Sequence, residues 1–182
     1  VRMRSICISF SAFSACAFMR KPCAISRRAA VAFGSAGSAP SEGSIQPSTL
    51  LDLATRNGVE LPAWTTEELR QWYAFRDFDH FVDIYLTAAG CIQTPEDVQR
   101  IAADFLKGQA EQNVLHTEVT YTASTQRMLS GIPLDDQLEA IGRARADAER
   151  DHGVTMSLTI DYPRHLDPEE FVGVAGWAVR NQ

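Results

Sequence analysis

The chain has 182 residues, of which 45% are hydrophobic and 22% are charged, as is typical of about one globular domain. Its formal net charge of −6 at pH 7 argues against a nucleic-acid-binding protein, which needs a basic face to contact phosphates. No apolar run reaches the roughly 18 residues of a membrane-spanning helix, so we expect neither nucleic acid nor membrane as a partner.

Residues 1–41 differ in composition from the remainder of the chain. They contain six basic residues and no acidic ones. We predict an irregular basic Ser/Ala/Arg-rich segment that forms no domain, such as a gene-model artefact produces. A secretory signal, an organelle transit peptide and a functional basic arm are the alternatives. Only Cys91 lies outside this segment, which indicates a protein of a reducing compartment, the cytoplasm.

Residues 42–182 begin with a series of predicted helices. Pro47 starts an apolar-periodic stretch that Gly58 ends, as a glycine just past a helix does. Thr65 fits a capping position for the next helix, because Glu68 follows three residues later. Thr94 precedes Pro95 and two acidic residues, a strong signal for a third helix start.

Between these starts, Asp77 can cap a helix that Gly90 ends. Phe78, Phe81 and Tyr85 are spaced i, i+3 and i+7, so they share one stripe of this helix. Spacing alone does not distinguish a plain core stripe from a set of residues lining a pocket.

The hydrophobic period then changes from that of a helix to that of a strand. Residues 115–121 and 154–161 alternate apolar and polar side chains, which predicts two strands. A helix is predicted between them, ending at Gly153, and another starts at Asp167. Strands that are each followed by a helix favour a parallel sheet. Because one face of each strand is polar, the pattern favours the interior of a barrel over an open doubly wound sheet. A (β/α)₈ barrel needs about 250 residues, so we predict an α/β fold that is an incomplete (β/α)₈ TIM-type barrel, its N-terminal portion, over residues 42–182.

Several landmark segments follow one another in this part of the chain. They comprise residues 42–45, 49–54, 81–85, 94–97 and 113–119. In their order and spacing they resemble the N-terminal half of the adenosine deaminase family, within the metal-dependent amidohydrolase superfamily. The resemblance implies a zinc-dependent enzyme that removes the C6 amine of an aminopurine nucleoside by hydrolysis, giving inosine and ammonia. Zinc would lower the pKa of its bound water to near neutrality. Which aminopurine is preferred, adenosine or adenine, stays open.

The chain departs from the family at the metal ligands. In the family a His-x-His pair ends the first strand, just ahead of a Leu-(Glu or Asp)-Gly run. Those two positions hold Ser38 and Pro40 here, and proline lacks the N–H that a central strand needs. The first barrel strand is therefore expected to be missing. The family's other ligands and catalytic residues come from later strands. We expect no metal ligand and no catalytic residue in this chain, and no bound zinc.

One site residue is implied by the resemblance, and others are weaker candidates. Glu42 matches an acid that contacts the substrate ribose, although a carboxylate ahead of a helix also has a structural use. Phe78, Phe81 and Tyr85 match a helix at the pocket mouth. Two further polar candidates are a facing pair of Glu118 and Asp161, and Arg164 next to Asp161 as its ion-pair partner. For both, a structural role in the barrel interior is favoured.

Two hypotheses about the protein follow. In the first, the chain derives from a zinc-dependent aminopurine deaminase and is inactive by itself. In the second, it is a non-catalytic half barrel that acts as a dimer or with a partner, since an open parallel sheet leaves unpaired edges available for self-association.

Overall fold

The computed structural model describes residues 6–9, 28–33, 45–163 and 166–182, the first two ranges by their backbone. The elements in chain order are β1 (Ile6–Ser9), β2 (Arg28–Phe33), α1 (Pro47–Asn57), α2 (Thr66–Trp72), α3 (Phe78–Gly90), α4 (Pro95–Glu111), β3 (His116–Tyr121), α5 (Ala123–Ser130), α6 (Leu134–His152), β4 (Thr155–Asp161) and α7 (Pro168–Arg180).

The strands form one parallel sheet in the order β1-β4-β3-β2. β3 and β4 are consecutive in the chain and adjacent in the sheet, with α5 and α6 in the connection between them. This strand–helix–strand arrangement confirms the prediction of an incomplete barrel: over the described residues the sheet has four strands, with β1 and β2 at its outer edges.

The helix starts predicted from the sequence are confirmed by their caps. The Thr65 side chain accepts the backbone N–H of Glu68 at 3.2 Å, and the Asp77 carboxylate accepts that of His80 at 2.8 Å. Thr94 and Asp97 form a reciprocal capping box at the start of α4. These local bonds satisfy N–H groups that a helix leaves without intrahelical partners.

The two faces of β3 and β4 differ as the alternation predicts. Val119, Leu158 and Ile160 are almost fully buried and join the apolar sides of α4 and α6 in the core. The opposite face, called the polar face below, carries His116, Glu118 and Thr120 of β3 and Thr155, Ser157, Thr159 and Asp161 of β4. Apolar burial thus sets which side of the sheet packs on helices and which is left for polar groups.

One prediction needs correction. Residues 1–41 were expected to be irregular, yet they contain β1 and β2, and β2 pairs in register with β3. Backbone hydrogen bonding to a neighbouring strand overrides weak local signals. The missing first barrel strand was expected at Ser38 and Pro40, which lie outside the described residues. The domain boundary at residue 41 stays a prediction. The sequence pattern also missed α5, a short helix that a left-handed Gly131 ends.

In the part of the chain that the structure describes, no helix is both long and apolar enough to cross a membrane.

Candidate functional site

Two polar side chains meet where β3 and β4 end. Tyr121 is aligned with Ile160 in the sheet, so the next residues along, Thr122 and Asp161, lie side by side at the carboxyl edge. The Thr122 hydroxyl donates to Oδ1 of Asp161 at 2.6 Å. In a barrel of this type the functional groups gather at that edge.

Asp161 is buried, with 7% of its surface exposed. Burial raises the pKa of its carboxyl, and the hydrogen bonds from Thr122 and from its own backbone N–H oppose that rise. A buried carboxyl with a perturbed pKa in a strand-end position is a candidate for binding or chemistry.

The predicted facing pair of Glu118 and Asp161 does not form. Glu118 is exposed and aligned with Ser157, whereas Asp161 lies four residues beyond Ser157 on the same strand. At about 3.3 Å per residue the two carboxyls are therefore separated by roughly 13 Å along the strand. The alternation placed both residues on one face correctly, but only the register could show their separation.

Tyr85 of α3 reaches the same edge. Burial and then the charge of Asp161 raise the pKa of its phenol to about 12, while side-chain hydrogen bonds with Thr122 and Thr125 lower it. The phenol is therefore neutral and able to donate a hydrogen bond at neutral pH. Gln126 of α5 helps to hold α3 near the strand ends. Its side-chain amide donates to the carbonyl of Ile92, just after α3, at 3.0 Å.

The remaining predicted mouth residues lie nearer the surface of α3. Phe78 is 56% exposed, and its ring centroid is 6.1 Å from that of the half-buried Phe81. Phe75 meets Phe81 edge to face at 5.2 Å. Tyr85, Phe81 and Phe78 thus run from the strand ends outward, and their role at a pocket mouth stays a prediction.

Other predicted residues lie outside the described part of the chain. Glu42, the ribose-contact candidate, and Arg164, the ion-pair candidate, belong to this group, as do Ser38 and Pro40. Among the residues that the structure describes, no group of three or more His, Cys, Asp or Glu side chains could hold a metal ion. The described donor set therefore does not fit zinc.

A second depression lies on the helical side, between α1 and α4. It has a volume of about 370 Å³ and is lined by Thr49, Asp52, Leu53, Thr55, Arg56 and Arg100. Both arginines are already paired with carboxylates, Arg56 with Asp97 and Arg100 with Asp104. Since its cations are neutralised within the protein, this depression lacks the free charge that would attract an anion.

Sequence reasoning missed Thr122 as the hydrogen-bond partner of Asp161, and Thr125 as a hydrogen-bond partner of Tyr85. Both threonines follow β3 and are buried. The signal available was the polar run after a predicted strand end, which in parallel sheets is a preferred place for ligand contacts.

Comparison with known proteins places this geometry in a family. The sequence model described as adenosine deaminase matches residues 40–180. The chain is 36% identical over 129 residues to an adenine deaminase of Ralstonia pickettii, covering 71% of this chain and 37% of that protein. It is 37% identical over 129 residues to an adenine deaminase of Bordetella avium, covering 71% and 40%.

Solved structures show the same fold. Adenine deaminase from Arthrobacter aurescens superposes with a TM-score of 0.70 at 27% identity, covering 84% of this chain and 44% of that one. A zinc-bound amidohydrolase from Burkholderia ambifaria superposes with a TM-score of 0.72 at 24% identity, covering 87% and 41%. The chain spans about two fifths of the length of these relatives. Its residues 40–180 match the family model over most of the chain, and the protein therefore belongs to the adenosine deaminase family of metal-dependent amidohydrolases.

Proposed function

We propose that this chain forms the amino-terminal part of an aminopurine deaminase barrel, contributing pocket wall and pocket mouth rather than the reacting groups. The observation that carries the proposal is the meeting of Thr122, Asp161 and Tyr85 at the carboxyl edge of β3 and β4. This edge is where barrel enzymes bind substrate, and the aromatic residues of α3 lie further out along it.

The substrate that we propose is the free base adenine. The curated relatives named above are adenine deaminases, which favours the base over the nucleoside expected from the sequence. The reaction of such an enzyme adds water at C6 of the purine and releases ammonia, so that adenine becomes hypoxanthine. A ribose contact by Glu42 is then not required, and that residue keeps its alternative use ahead of α1.

The roles proposed for the described residues are binding roles. Tyr85 and Thr122 are hydroxyl groups at the pocket floor, and Phe81 and Phe78 shield the mouth from water. Zinc supplies the activated water in the family, but the described donor set does not fit it. We therefore assign no step of the reaction to this chain and expect it not to deaminate alone.

The inactivity is tested on the purified 182-residue chain. We expect no stoichiometric zinc by elemental analysis and no ammonia release from adenine or adenosine. One zinc per chain, or ammonia release that follows protein concentration, would show that the chain carries its own catalytic centre.

The scaffold role is tested with a chimera. Residues 42–182 replace the matching segment of the Ralstonia pickettii adenine deaminase, so that the host supplies everything outside it. We expect a folded, zinc-loaded chimera that deaminates adenine measurably. A chimera that folds and loads zinc but has no turnover would contradict the proposal. The unmodified host enzyme is the control.

A second candidate function is a half barrel that binds a partner. It is favoured by the open sheet, whose outer strands are β1 and β2, and by the exposed Val172 and Val179 on α7. Light scattering after size exclusion tests it: a defined dimer supports this function, and a folded monomer contradicts self-association.

A cytoplasmic location is also a proposal. Its support is Cys91, a buried free thiol whose pKa burial raises to about 11, which makes it an unreactive structural cysteine.

A further inference from the structure

Asp161 accepts few hydrogen bonds for a buried carboxyl. Its partners are the Thr122 hydroxyl and its own backbone N–H, and no described Lys, Arg or His side chain forms an ion pair with it. A carboxylate can accept about four hydrogen bonds. Counting only partners within residues 45–163 and 166–182, acceptor capacity is thus left over at a buried position, where an uncompensated charge is costly.

The described side chains that interact with Asp161 carry hydroxyl groups, and none of them is a cation. Thr122 donates to one carboxyl oxygen, and Tyr85 lies close enough for the carboxylate charge to raise its phenol pKa. Neither hydroxyl neutralises the charge. The arrangement orients a carboxyl whose remaining acceptor sites are available to a further donor.

A second observation at the same edge is the hydroxyl of Ser124. This residue is 1% exposed, and its Oγ has no hydrogen-bond partner. It lies two residues after Thr122, in the first turn of α5. Buried polar groups are nearly always satisfied, so this hydroxyl, close in sequence to the Thr122 that binds Asp161, is a second polar group near the strand end with room for a further partner.

We propose that Asp161, held by Thr122, is a specificity-determining residue that accepts a hydrogen bond from the exocyclic amine of a 6-aminopurine. The inference rests on the proposed function and extends it to the choice between substrate and product. A 6-oxopurine presents a lone pair in place of the amine, so it faces the carboxylate with repulsion instead of a hydrogen bond. The residue therefore favours binding of the amine and release of the oxo product.

The experiment measures adenine and hypoxanthine binding to the full ¹⁵N-labelled chain by chemical-shift titration. Wild-type protein is expected to prefer adenine by about tenfold or more, the range for a hydrogen bond to a charged group. In Asp161→Asn the amide can donate to the oxo group, so the preference should disappear or invert. The matched control is Thr159→Val, two residues earlier on the same polar face, which should keep the wild-type preference.

The outcomes separate the inference from the proposed function. Equal binding of both purines by wild type, binding of neither, or an unchanged preference in a folded Asp161→Asn variant overturns the inference. A loss of both affinities together in Asp161→Asn indicates a structural role and also overturns it. The chimera described above measures turnover of adenine independently, so the scaffold function can hold while the role of Asp161 fails.

Discussion

Two buried aspartates, Asp97 and Asp161, show how differently the same side chain is treated in two regions of this protein. Asp97 at the start of α4 is 0% exposed and receives the Arg56 guanidinium, the Asn57 amide at 2.8 Å and two backbone N–H groups. Asp161 at the end of β4 receives one hydroxyl and its own N–H.

The different sets of hydrogen-bond donors indicate different roles for the two carboxylates. The donors of Asp97 come from α1 and from the turn before α4, so this residue joins two helices and satisfies the helix start at once. Donors surround it, and nothing is left for a ligand. Asp161 receives one side-chain donor, Thr122, at the edge where barrels bind substrate. Full satisfaction suits the structural role of Asp97, and the smaller donor set of Asp161 is the basis of the binding role that we propose for it.

The largest effect is expected from removing the fully bonded carboxylate. Asp97→Ala leaves Arg56, Asn57 and two backbone N–H groups without their acceptor, so the free energy of unfolding should fall by about 3 kcal/mol. Urea denaturation followed by circular dichroism measures it. The control is the exposed Asp52, whose contact with Arg100 is 3.8 Å long: Asp52→Ala should change stability by less than about 0.5 kcal/mol. A similar loss in both variants would refute the structural role of Asp97.

A smaller effect is expected from the cationic partner. Arg56→Ala keeps the Asn57 amide and the backbone donors on Asp97, and the Arg56 side chain is 54% exposed. The free energy of unfolding should therefore fall by only about 1 kcal/mol, allowing for solvent screening. Arg100→Ala, which breaks an ion pair along α4, is the control, with a smaller loss. If Arg56→Ala destabilises as much as Asp97→Ala, the ion pair outweighs the hydrogen-bond network.

The smallest change in the free energy of unfolding is expected from replacing Asp161, and here the variant should be more stable than wild type. Burial raises the pKa of Asp161 in the folded state, so the fold favours the protonated form, and wild type loses stability as pH rises from about 3.9 through the raised value. Asp161→Asn does not titrate and keeps an acceptor for Thr122.

The free energy of unfolding of Asp161→Asn, compared with that of wild type, should therefore increase as pH rises. The difference should level off at about 1 kcal/mol or less. Urea titrations at several pH values between 4 and 8 follow the gap. A gap that shrinks with rising pH would mean that the ionised carboxylate stabilises the fold, as Asp97 does, and would end the distinction between the two sites.

Much of the fold could be predicted from local signals. Thr65, Asp77 and Thr94 marked helix starts because their side chains bond backbone groups only three residues away. The alternation in β3 and β4 predicted the buried and polar faces, since side chains alternate across a strand. Family resemblance, read from landmark order, is confirmed by the match over residues 40–180.

Contacts that depend on distant residues could not be predicted. The pairing of β2 with β3 joins a segment that was not predicted as a strand to one that was, and the separation of Glu118 from Asp161 follows from register. Thr122 and Asp161 are 39 positions apart and meet only because their strands are parallel neighbours in this register.

The amino-acid sequence by itself determined where helices begin and end and which strand faces are apolar, because capping and amphipathic periodicity act over a few residues. Only the tertiary structure decided which polar side chains converge and how many donors each buried carboxylate receives. Those outcomes depend on strand register and helix packing, which bring together residues far apart in the chain.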